Sequence, residues 1–190
     1  MATTKLQAVN EILKTVGISP VNSLTSGVYE AEQAEQALDT VSREVQSGQW
    51  DWNAEDDIEL TPDTNGHIPV PAGAIRMDAS DKTLQVVTRG GRLYDKKKHT
   101  AVFAEPLKVN VKWELAWDDL PEPARQYIYL LAATRFQLTY LGSDSLDRQL
   151  QPLVNRAFVA LKNYDTEQGD YNILTGDPET MAIWFRTEHH

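Results

Sequence analysis

The sequence predicts an α+β fold: a four-helix bundle formed by both chain ends, an inserted small antiparallel β module and an extended C-terminal arm. Three observations predict it. Two segments at each end repeat apolar residues at helical spacing, the stretch between them alternates at strand spacing between turn signals, and no periodicity persists beyond Gly169. Helices at both ends bury their stripes by coming together, which leaves the middle as a projecting module. The expected division is 1–48 with 116–168 for the bundle, 49–115 for the β module and 169–190 for the arm.

Thr4 and Gln7 have the spacing of a capping box, and Leu6, Val9, Ile12, Leu13 and Val16 form the first stripe before Gly17 stops it. After a loop containing Pro20, the second stripe runs through Ala31, Ala34, Leu38, Val41 and Val45 to Gly48. Small residues fill its first half, so a neighbour can approach closely there.

From Trp50 the period changes. Ile58 and Leu60 precede a turn at Asn65-Gly66, and Ile68 and Val70 follow it, the pattern of a hairpin. Leu84 to Thr88 and Leu93 to Asp95 flank Arg89-Gly90-Gly91-Arg92, a second hairpin. Leu107, Val109, Val111 and Trp113 alternate with Lys108, Asn110, Lys112 and Glu114 as a half-buried strand.

Asp118-Asp119-Leu120-Pro121 suits a helix start, where acidic side chains and a missing N–H are both tolerated. The third stripe is Tyr127, Ile128, Leu131, Leu138 and Leu141, up to Gly142. The fourth spans Ser145 to Gln168, with Pro152 predicting a kink or a late start near Gln151. The arm carries Tyr171, Ile173, Leu174, Met181, Ile183, Trp184 and Phe185.

Composition excludes several functions. There is no cysteine, so disulfides, thiolate metal sites and thiol catalysis are ruled out. No apolar run approaches the length of a membrane span and no charged-then-apolar leader opens the chain, so a soluble, non-secreted protein without a membrane anchor is expected. A formal charge of −10 opposes a surface that grips nucleic-acid phosphates.

Trp50, Asp51, Trp52, Glu55, Asp56 and Asp57 combine aromatics with carboxylates, the ingredients of a glycan hydrolase, which stands as the alternative function. Packing explains the tryptophans better, since they share one side of a strand. His67 and His99 lack a second ligand at helical or hairpin spacing, and no nucleophile elbow or phosphate loop is present, so no enzyme activity, metal or cofactor is expected. Lys96-Lys97-Lys98-His99 has the composition of a solvated turn or a docking patch for an acidic partner or passing DNA.

Several segments together resemble the tail tubular protein A family, the head-to-tail adaptors of short-tailed bacteriophages. They are Ala8-Val9-Asn10-Glu11-Ile12-Leu13 with Gly17 to Leu24, Arg43 to Asn53, Leu60-Thr61-Pro62-Asp63 and Arg89 to Asp95. Leu120-Pro121-Glu122 with Arg125 and Ile128, Arg135-Phe136, and Tyr171 to Leu174 with Gly176-Asp177 complete the set. The resemblance implies a virion structural protein made in the host bacterial cytoplasm. It also implies a homo-oligomeric ring of twelve subunits below the portal protein, joined to the nozzle or tail tubular protein B, with tail fibres at the junction and genomic DNA passing without specific binding. Tyr171, Ile173, Leu174, Ile183, Trp184, Phe185, Lys96, Lys97 and Lys98 are the interaction candidates.

Overall fold

A computed structural model describes residues 2–176, with side-chain surroundings described as far as residue 168. The class is α+β: among the described residues there are four α-helices with small antiparallel sheets. The chain divides into two compact units, residues 1–42 with 117–190, and residues 43–116.

In the first unit, α1 (Lys5–Thr15) begins with the capping box, Thr4 Oγ1 accepting the Gln7 N–H and the Gln7 side chain accepting the Thr4 N–H. Its buried line is Ala8, Val9, Ile12 and Leu13. Helix α2 (Tyr29–Gln46) buries Ala31, Ala34, Leu38 and Val41, and Lys5 of α1 bridges its Glu35 and Asp39 at 2.8 and 2.9 Å. A short 3₁₀ turn, Trp117–Asp119, precedes α3 (Glu122–Tyr140), with Pro121 as the N-cap rather than the first helical residue. Helix α3 packs along both α1 and α4 (Asp144–Gly176).

Three expectations for α3 and α4 are corrected. The buried line of α3 is Ala124, Ile128, Ala132 and Phe136, while Leu138 and Leu141 are 45% and 50% exposed. Helix α4 starts at Asp144, not late near Gln151, and the helix continues past Pro152, whose loss of one backbone bond is outweighed by the bonds on either side. It also continues to Gly176, eight residues into the segment expected to be an extended arm. Gly169 weakens a helix interior by only about 1 kcal/mol, too little to end it.

In the second unit, β1 (Ala54–Leu60), β5 (Leu107–Trp113) and β2 (Ala74–Ala79) form one antiparallel sheet in the order β1-β5-β2. β3 (Val86–Arg89) and β4 (Arg92–Asp95) form the expected hairpin, with Arg89 opposite Arg92 and both Gly90 and Gly91 at positive φ. One core joins the two sheets: Ile68, Met77, Val86, Leu93, Leu107, Val109 and Val111. The hairpin expected around Asn65-Gly66 does not form. Leu60 pairs with Leu107 instead, and Ile68 and Val70 bond to the edge of β4 through Leu93 N–H and Gly91 O. The Asp63 carboxylate accepts the N–H groups of Asn65 and His67 and curls the loop on itself.

Candidate interaction surfaces

The basic run lies on a hydrogen-bonded four-residue turn after β4. Asp95, only 3% exposed, forms a bridge with Thr100, donating its N–H to Thr100 O at 2.8 Å. Its carboxylate accepts the N–H groups of Lys97 and Lys98 at 2.8 and 2.9 Å, and Lys96 N–H donates to Gln85 O at 2.8 Å. His99 completes the turn at φ 55°. The Lys98 N–H holds the Asp95 carboxyl below its ordinary pKa, against the cost of desolvation, with the Lys97 N–H and the two lysine charges adding to it. Lys96, Lys97, Lys98 and His99 are all exposed. Nearby on the hairpin, Arg89 lies 4.2 Å from the centre of the Tyr94 ring, and Arg92 Nη1 sits 3.2 Å from the His67 ring nitrogens.

Around residue 50 the tryptophans face inward. Trp50 is 6% exposed and its indole N–H donates to Val45 O at 2.6 Å, so this ring is not a platform for a sugar. Trp52 is half-buried, 6.3 Å from Trp50 between ring centres. Asn53 Nδ2 donates to both Gln46 O and Trp113 O, tying α2's last turn to the end of β5. The carboxylates of Glu55, Asp56 and Asp57 project to solvent along β1.

Of the arm candidates, Tyr171, Ile173 and Leu174 belong to the last turns of α4, and Ile183, Trp184 and Phe185 lie outside the described residues.

Sequence reasoning missed a groove in the first unit, about 440 Å³, lined by α2 (Tyr29, Gln33, Ala37) and α3 (Arg135, Phe136, Tyr140). Phe136 and Tyr140 stack with centres 5.6 Å apart. Their i, i+4 spacing opposite the alanine-rich half of α2 was the available signal. Among the described residues no helix is long and apolar enough to cross a membrane, and no His, Asp and Glu side chains gather into a metal-binding group.

The sequence matches the family described as Tail tubular protein over residues 6–171. It is 28% identical over 141 residues to Tail tubular protein A of Klebsiella phage KP34, covering 74% of this chain and 75% of that protein. With the family spanning most of both units, the chain belongs to the tail tubular protein family and is a structural component of a phage tail.

Proposed function

We propose that this protein is the head-to-tail adaptor of its virion, a non-catalytic ring subunit between portal and nozzle through which the genome passes. The family match over residues 6–171 carries this reading. Three features support it. The net charge of −10 suits a wall along which DNA slides, since a basic wall would displace counterions and hold the phosphates. The groove beside Ala37 of α2 has an aromatic floor, Phe136 and Tyr140, that suits contact with another protein. The inward-turned Trp50 favours scaffold over glycan chemistry near residue 50.

In this reading the helices, closed into a bundle, build the ring. The β module and the C-terminal arm, including Tyr171, Ile173, Leu174, Ile183, Trp184 and Phe185, contact the portal, tail tubular protein B and the tail fibre. A ring of twelve subunits is expected. Electron microscopy of the purified protein with and without portal protein tests this. Rings capping the portal are the expected result; particles that leave the portal bare would overturn the adaptor reading.

A further inference from the structure

Charge in the second unit is sorted along the chain. From Glu44 to Ile75 there are seven acidic residues and no Lys or Arg, whereas Lys82 to Lys98 holds six basic residues and one acid. That one acid, Asp95, is buried and spends its carboxylate on the loop's own N–H groups, so the basic side chains stand on a preformed support. The acidic stretch contains β1, the outermost strand of its sheet, which bonds to β5 on one side. Its register breaks between Glu55 and Ile58, where Asp57 adopts φ 58° and donates its N–H to the Asn110 side chain. Glu55, Asp56 and Glu59 are exposed on this bulged edge, and among the described residues none forms a salt bridge. The same holds for Lys96, Lys97 and Lys98.

We propose that the Lys96–Lys98 loop of one copy docks on the bulged acidic edge of β1 in a second copy, joining copies head to tail. Two different surfaces of opposite sign make a heterologous contact, the kind that closes into a ring. A charged, bulged edge refuses indiscriminate strand addition, so pairing is set by charge complementarity rather than by main-chain bonding. This adds a contact between the β modules of neighbouring subunits to the helix-built ring of the adaptor reading, and rests on that reading.

Charge reversal tests the contact in the full chain. One variant carries K96E, K97E and K98E; the other carries E55K, D56K and E59K, all at exposed positions. Circular dichroism confirms that each is folded, and sedimentation velocity follows self-association across a concentration series at low and high salt. The wild type is expected to self-associate, less so as salt rises, and each variant alone to associate about tenfold or more weakly. Mixing the two variants should restore assembly, because each acidic loop then meets a basic edge and each basic loop an acidic one. A wild type that stays monomeric at low salt, a variant that associates as well as wild type, or a mixture that fails to recover would overturn the proposal. So would a monomeric wild type that binds duplex DNA through these lysines, which would make nucleic acid the occupant. If the loop-reversed variant still forms rings on the portal, this contact is wrong while the adaptor reading stands.

Discussion

The side-chain amide of Gln46 pairs with the main chain of Leu115 as a neighbouring strand would. Its Nε2 donates to Leu115 O at 3.2 Å and its Oε1 accepts the Leu115 N–H at 2.7 Å, with Gln46 only 1% exposed. One residue at the end of α2 thus satisfies both backbone groups of the chain leaving β5. Gln46→Leu removes both bonds while keeping the volume, and should cost about 2 to 4 kcal/mol, because the peptide groups of Leu115 are left unpaired. Urea unfolding monitored by Trp fluorescence measures it; a loss below about 0.5 kcal/mol would mean that solvent replaces the pair.

Arg125 holds the start of the chain. Its guanidinium donates to Leu120 O at 2.9 Å, Asp118 O at 2.6 Å and Thr3 O at 3.3 Å, while Glu122 accepts the Thr3 N–H and hydroxyl. Arg125→Lys keeps the charge but cannot reach three carbonyls from one planar fork. A loss of about 2 to 3 kcal/mol is expected, with faster amide exchange at residues 3 to 5 as the local readout.

Gln137 presents the opposite case. It is fully buried, and neither amide atom has a hydrogen-bond partner among the described residues. Replacing it with Leu removes an unpaired dipole from the helical unit and should raise stability by about 1 to 2 kcal/mol. A fall in the thermal midpoint would show that the amide has a role in assembly or packing that shape alone does not explain.

Acid should loosen the basic loop in a narrow window. Because the folded Asp95 pKa is depressed, the charged carboxylate stabilises the loop above its unfolded value of about 3.9, and this is lost as pH falls through the lower folded value. Amide resonances of Lys97 and Lys98 should therefore be flat from neutral pH to about 5 and titrate below about 3.9. Asp95→Asn should abolish that titration. A midpoint at or above the ordinary Asp value would contradict the assigned bonds.

Local chemistry determined much of this fold from sequence alone. The Thr4–Gln7 box, the stripes of α1 and α2, the Gly90-Gly91 hairpin and the alternation of β5 are short-range patterns, and each forms as read. So was the basic loop, whose four exposed residues lie consecutively. Tertiary packing decided the rest. Helix α3 carries apolar residues around much of its circumference, so only its contacts with α1 and α4 select Ile128 and Phe136 for burial and leave Leu131 half-buried and Leu138 exposed. β1 finds its partner across some fifty residues in β5, a pairing its local sequence cannot encode, and the groove beside Tyr140 exists only once two helices meet. Periodicity reports which face of a segment is apolar; which neighbour covers that face is a property of the whole chain's burial of surface, which no single segment contains.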